Sequence, residues 1–192
     1  MSAESAIIIV RAADFAARYH VDHRRKGPRN RPYVNHLIEV CYLLVGAGET
    51  DSAVLAAALL HDVVEDTSAE IEDVRREFGA EVARLVAEVS DDKSLPKAVR
   101  KRLQVEHAPQ LSPKAALIKL ADKLSNVRDM VVDPPSWSEE RVIAYVVWAE
   151  DVVLRLPVAD GPLLREFREV CSAVRERVDT AAQRLDDQEL TA

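Results

Sequence analysis

Glycine is scarce in this chain, with 5 residues among 192. Hairpin-rich β-architectures need glycine in their turns, so a sandwich or barrel is not expected. Cysteine is scarcer still. Cys41 and Cys171 are too few for a disulfide framework, and the chain is read as reduced and cytoplasmic. Aromatic residues make up 5%, and the formal net charge is −7. Neither suits a nucleic-acid-binding surface, so no nucleic-acid partner is expected. Long hydrophobic runs are missing too. Ile7-Ile8-Ile9-Val10 is too short for a leader and is followed by Arg11 and Asp14. No run is long enough to span a bilayer, so no membrane association is expected.

What is present reads as a helical protein. Hydrophobic residues make up 48% and charged residues 31%, with alanine and leucine abundant. Apolar positions recur at three and four, and no strand-like alternation is found. Helices are expected over residues 5–19, 33–46 and from 52 into the His61-Asp62 pair. Further helices are expected over 71–78, around Val82 to Val89, from Pro96 to before Pro109, and from Ser112-Pro113 to Asp133. Ser138 caps another, and a C-terminal helix is expected over about 162–187. The expectation is an all-α, single-domain bundle of about eight to ten helices over residues 1–192, large enough for one full core.

Within that frame, His36, His61, Asp62 and Asp122 stand out. His61 follows His36 by 25 residues, and Asp122 follows Asp62 by 60. Two imidazoles and two carboxylates suit a borderline or hard divalent cation such as manganese. The lack of cysteine in the set argues against structural zinc. Glu65 and Asp66 lie four residues after His61 and Asp62, which on one continuous helix puts all four on one edge. An apolar stretch from Ala53 to Leu60 leads into them. Downstream, Leu117, Leu120, Ala121, Leu124 and Val127 form a packing stripe. Lys119, Asp122, Asn126 and Asp129 form a separate polar line, with Asn126 as a substrate contact.

Two basic clusters interrupt the acidic total. One is Arg24, Arg25, Lys26, Arg29 and Arg31; the other is Lys93, Lys97, Arg100, Lys101 and Arg102. Some of these are expected to face the metal and hold a polyphosphate, and arginine can also stack on a purine. His20, His23 and His107 are read as structural or solvated, and Glu70, Glu72 and Asp73 as a solvated helix face. Cys41, five positions after His36, is read as core filler.

The order His36, His61-Asp62, Asp122 resembles the HD-domain metal phosphohydrolases. Pro32-Tyr33-Val34-Asn35-His36, Leu60-His61-Asp62-Val63-Val64-Glu65-Asp66-Thr67 and Leu120-Ala121-Asp122-Lys123-Leu124-Ser125-Asn126 look like the hydrolase domain of RelA/SpoT-type enzymes. Leu95-Pro96-Lys97 and Arg100-Lys101-Arg102-Leu103-Gln104 are most similar to the small stand-alone metazoan form. The resemblance covers roughly residues 10–155. It implies removal of the 3′-pyrophosphate from guanosine tetra- or pentaphosphate, with one Mn²⁺ per chain at His36, His61, Asp62 and Asp122. It implies Glu65 and Asp66 as the catalytic pair that positions and activates water. It implies Arg25 and Lys26 on the guanine side, and Tyr33 and Asn126 near ribose and phosphate. Lys97, Lys101, Arg141 and Tyr145 are assigned to the phosphate end. With no room for a synthetase domain, hydrolysis without synthesis is expected.

Three positions depart from the family. It usually has glycine two residues before the Pro-Tyr pair and often proline after the histidine, where this chain has Asn30 and Leu37. These bear on the loop near the nucleoside. Ser125 stands where the stand-alone form often has tyrosine, which bears on substrate fit. The competing expectations are an HD phosphohydrolase acting on the 2′-phosphate of NADPH or on deoxynucleotides, and a non-catalytic nucleotide-binding scaffold. A scaffold should lack a ligand or an acid, and all six are here. A small nucleotide is thus the expected partner, and a homo-oligomer is left open.

Overall fold

The computed structural model describes residues 2–189, with side chains through residue 181. Among these residues there are ten α-helices, one of them a single turn, and no strand. One isolated bridge pairs Arg24 with Pro32.

Local chemistry sets most helix ends. α1 (Ala3–Tyr19) starts at Ser2, whose side chain accepts from the Ser5 amide, and buries Ala12, Phe15 and Ala16. The basic loop follows. Asn30 within it has φ 48°, a left-handed backbone that glycine adopts freely and asparagine tolerates. The Asn30 departure therefore keeps the backbone that a glycine would give. α2 (Val34–Gly46) buries Leu37 completely, so that departure is core packing and not loop shape.

α3 (Ser52–Leu60) is capped by Asp51 and buried on every side from Val54 to Leu60. A helix apolar all round belongs in the centre of a fold. It packs against α1, α2, α6 (Ala80–Val89) and α8 (Pro113–Val132). The expected continuous helix through Asp66 does not form. The chain turns at His61-Asp62, and α4 (Val63–Asp66) is a separate turn. The His61 ring takes the Ala58 carbonyl at 2.8 Å, the group an unbroken helix would offer to the Asp62 amide. The four polar groups therefore do not share one helix edge.

α5 (Ile71–Phe78) opens on a capping box of Glu70 and Asp73. Gly79, at φ 89°, turns the chain into α6. α7 (Lys97–His107) buries no residue and leads into a 3-10 turn, Ala108–Gln110.

α8 runs through the middle of the molecule against α2, α3, α6, α9 (Glu139–Val153) and α10 (Pro162–Glu189). Ser112 caps α8 with Pro113 at its first position, and Ser138 caps α9. The expected division of α8 into a packing stripe and a polar line fails. Lys119, Asp122, Lys123 and Ser125 are buried, while Leu117 is only partly so. Neighbours on all sides override the amphipathic pattern. α10 covers α8 with Leu163, Phe167, Cys171 and Val174.

Candidate metal centre and substrate cleft

Three elements bring four side chains to one point. His36 comes from the first turn of α2, His61 and Asp62 from the turn after α3, and Asp122 from the middle of α8. One donor atom each from His36, His61 and Asp62 lies within 4.8 Å of the others. Asp122 Oδ1 is 3.3 Å from His36 Nε2 and 3.7 Å from His61 Nε2. Asp62 Oδ2 is 3.7 Å and 3.0 Å from the same two atoms. Yet neither Nε2 makes a hydrogen bond among the described residues, although both are buried.

The outer atoms of these residues are held. His61 Nδ1 is 2.8 Å from the Ala58 carbonyl, and His36 Nδ1 is 2.9 Å from Ser125 Oγ. Asp62 accepts from the Tyr33 hydroxyl at 2.7 Å. Asp122 accepts from Asn126 Nδ2 at 2.5 Å and from Lys123 Nζ at 3.1 Å. Burial works to raise both carboxyls, but charge prevails. His61 holds Asp62 low, and Lys123 with the two imidazoles holds Asp122 low. Burial likewise opposes charge on His61, but Asp62 and Asp122 raise its pKa to about 10. His36 is lowered by burial and by the Arg25 charge. Two ionised carboxylates converge here on two imidazole nitrogens with no other partner. That donor set fits a divalent cation.

Glu65 and Asp66 sit beside this centre on α4, turned to other partners. Glu65 accepts from the Asp91 amide and from Arg100 Nη1, both at 3.0 Å. Burial raises its pKa, the Asp91 amide opposes this, and the Asp91 and Asp62 carboxylates add to it. Asp66 pairs with Lys93. Both acids line a cleft of about 340 Å³ with Lys26, Lys97, Lys101 and Trp148. Two adjoining cavities, of about 170 and 430 Å³, share Trp137 and Tyr145 with it. Tyr33, Arg25 and Asn126 line the smaller of these.

The basic clusters divide by function of position. Arg25 binds Asp129 through Nε at 2.8 Å and through Nη2 at 2.6 Å, and reaches Asn126 Oδ1 at 2.9 Å. Arg31 pairs with Asp129 and Asp133, and Arg29 lies near Asp133. A side chain at Gly27 would collide with Asp133, so the loop lies flat against the end of α8. Arg24 donates to the carbonyls of Val21 and His23. Most of this cluster therefore fastens its own loop. In the second cluster, Lys93 and Arg100 pair with the two acids, and Arg102 pairs with Glu106 at the surface.

Lys26, Lys97, Lys101 and Arg141 remain without an ion pair among the described residues. Aromatic rings hold three of them. Arg141 lies 4.2 Å over Trp137, Lys26 5.8 Å over Trp137, and Lys101 4.3 Å over Trp148. Burial lowers the pKa of Lys26, and Lys97, Arg141 and Arg25 lower it further; Lys101 is lowered by burial, Lys97 and Lys123. A group of mutually repelling cations, none of them paired with a carboxylate, suits a polyanion.

Several participants were not singled out from sequence. Trp137 lines all three cavities, and its position in a loop after Pro134-Pro135 was the available signal. Trp148 carries Lys101 on its ring at 4.3 Å and Lys123 at 4.6 Å. Glu39 gave no local signal, and Lys123 stood in the Asp122 motif without a role of its own. Ser125 faces His36 and is fully buried, so it does not bear on substrate fit by contact. His20 is structural as expected. It is buried, stacks on Tyr33 and has Nδ1 2.9 Å from His23 Nδ1.

Residues 12–147 match the family model described as HD domain. The chain belongs to the HD domain family, and its fold is the all-α fold of that family. Within it, the chain is 56% identical over 155 residues to a Homo sapiens protein, guanosine-3′,5′-bis(diphosphate) 3′-pyrophosphohydrolase MESH1. That alignment covers 80% of this chain and 86% of the relative. The Drosophila melanogaster protein of the same name is 57% identical over 158 residues, covering 81% and 88%. A solved structure, described as a metazoan ortholog of SpoT that hydrolyzes ppGpp and plays a role in starvation responses, superposes with a TM-score of 0.83. It is 49% identical and covers 92% of this chain and 97% of that one. The resemblance to RelA/SpoT-type hydrolases read from the motifs is therefore correct.

Proposed function

We propose that this chain hydrolyses the 3′-pyrophosphate of guanosine tetra- or pentaphosphate, giving GDP or GTP and pyrophosphate. The observation that carries the reading is one juxtaposition. Two partnerless imidazole nitrogens and two carboxylates converge beside a cleft lined by Lys26, Lys97 and Lys101, with Arg141 in the cavity that adjoins it. The names of the relatives that are 56% and 57% identical over the aligned residues point the same way.

In this reading, residues 1–192 act as one domain, and His36, His61, Asp62 and Asp122 hold one Mn²⁺. The cation supplies Lewis acidity to the reacting phosphoryl group. The protein groups do the rest. Tyr33 and Asn126 fix the Asp62 and Asp122 carboxylates. Glu65, raised towards working pH, takes the proton of the attacking water, and Asp66 orients that water. The water oxygen bonds to phosphorus as the bond to the 3′ oxygen breaks, the 3′ oxygen takes up the proton that Glu65 received, and pyrophosphate departs with the new oxygen. Lys97, Lys101 and Arg141, with the Tyr145 edge, oppose the phosphate charge. Arg25 and Lys26 border the smaller cavity, which takes the base.

The test is turnover of 3′-pyrophosphorylated GDP with Mn²⁺ and then with chelator, with NADPH and deoxynucleoside triphosphates alongside. GDP and pyrophosphate should appear and stop with chelator. Asp62→Ala should lose both Mn²⁺ binding and turnover. Full Mn²⁺-dependent activity in that variant, or turnover confined to NADPH or deoxynucleotides, would overturn the assignment.

A further inference from the structure

Behind His36, away from the cleft, lies a polar chain that the reaction itself does not use. Ser125 on α8 is fully buried. Its Oγ is 2.8 Å from Glu39 Oε2 and 2.9 Å from His36 Nδ1. Glu39 lies one turn after His36 on α2, and its Oε1 accepts from Arg128 Nη1 at 3.4 Å. Arg128 Nη2 pairs with Glu166 of α10 at 2.8 Å. The chain thus runs from the C-terminal helix to a candidate metal ligand.

Hydrogen-bond direction follows from the donors available. An ionised carboxylate only accepts, so the Ser125 hydroxyl proton goes to Glu39. Ser125 Oγ then has only a lone pair for His36, which must donate from Nδ1. With the imidazole neutral, that leaves Nε2 bare, facing Asp122 Oδ1 at 3.3 Å and Asp62 Oδ2 at 3.7 Å. Without Glu39, the hydroxyl could turn and donate to Nδ1. The ring proton would then sit on Nε2 and block it as a ligand.

We infer that Glu39 and Ser125 are positioning residues that hold His36 in the tautomer and orientation needed to bind a divalent cation, with Arg128 and Glu166 anchoring them. This rests on the metal reading above and assigns part of α10 a role at the centre. Such outer partners of a ligating histidine typically change metal affinity by about 10–100-fold when removed.

The experiment is a calorimetric Mn²⁺ titration of wild type, Ser125→Ala, Glu39→Gln and Asp62→Ala, with thermal melting of each metal-free protein. Ser125→Ala should bind Mn²⁺ about 10–100-fold more weakly, and its turnover should recover as Mn²⁺ is raised to saturation. A merely structural role would lower the melting temperature and leave affinity unchanged. Glu39→Gln keeps size and an oxygen that can still accept from the hydroxyl, but its amide can also donate and let the hydroxyl reverse, so binding should weaken by a smaller factor. Wild-type affinity in Ser125→Ala overturns the inference. If Ser125→Ala does not fold, wild-type affinity in Glu39→Gln overturns it instead. No Mn²⁺ binding by wild type would remove the metal reading itself, a result distinct from normal binding in every variant except Asp62→Ala.

Discussion

Glu65 shows how neighbours prepare one side chain for a task. The Asp91 amide and Arg100 fix its two oxygens, and burial raises its pKa. It is not among the residues that converge on the two imidazoles. Glu65→Gln should therefore keep Mn²⁺ affinity while kcat falls by about 10²–10⁴-fold, the usual worth of a general base. Parallel metal titration and turnover would check this, and an unchanged kcat would remove Glu65 from the chemistry. His20 makes a different prediction, about stability. Desolvation lowers its pKa to about 4, with Asp62 opposing and His23 assisting. The unfolded chain takes up that proton below about 6.5, and the folded one does not until about 4. Stability is thus lost as pH falls through this window. His20→Phe keeps the ring on Tyr33 and has nothing to titrate. Its urea midpoint should gain on wild type between pH 7 and pH 5, and a constant gap would refute the claim.

Among the elements, α7 is attached unlike the others. It buries no side chain, yet it carries Lys97, Arg100 and Lys101 to the cleft. Polar links hold it: Arg100 to Glu65, Gln104 Nε2 to Asp91 Oδ2 at 2.6 Å, and Trp148 Nε1 to the Lys101 carbonyl at 3.0 Å. Each of these is worth about 1 kcal/mol, or up to about 3 where charged, far less than a buried apolar face. α3, by contrast, is buried from Val54 to Leu60. Amide exchange in α7 should be faster than in α3 by orders of magnitude, and a bound nucleotide polyphosphate should slow it. Peptide-resolved exchange would show this; equal protection of the two helices would contradict it.

At the scale of the whole molecule, net charge and local charge point in opposite directions. The chain carries −7, while Lys26, Lys97, Lys101 and Arg141 gather around two adjoining cavities. The acidic remainder does not cancel them, because screening limits its reach to about 8 Å at physiological salt. Raising salt from about 50 mM to about 300 mM should raise KM for a guanosine polyphosphate several-fold and leave kcat nearly unchanged. Steady-state kinetics across that range would test it. A KM that does not move would mean these cations do not meet the substrate.

The sequence by itself determined the helical class and most of the helix ends. Caps such as Asp51, Ser112 and Ser138, and the glycine turn at Gly79, act within a few residues, so they can be read locally. It also carried the motifs that mark the family. Which side chains meet was decided only by tertiary structure. The ion pairs that hold Arg25 and Arg31 in their loop come from Asp129, 104 and 98 positions away. The polar line of α8 read as separate from its packing stripe until five helices enclosed both. The break after Leu60 depends on a histidine ring that burial turns back onto its own helix. Trp137 enters the cleft for a similar reason, since Lys26, 111 positions away, lies over its ring. Backbone propensity and capping are short-range, whereas a charge or a ring is defined by whatever the fold places beside it.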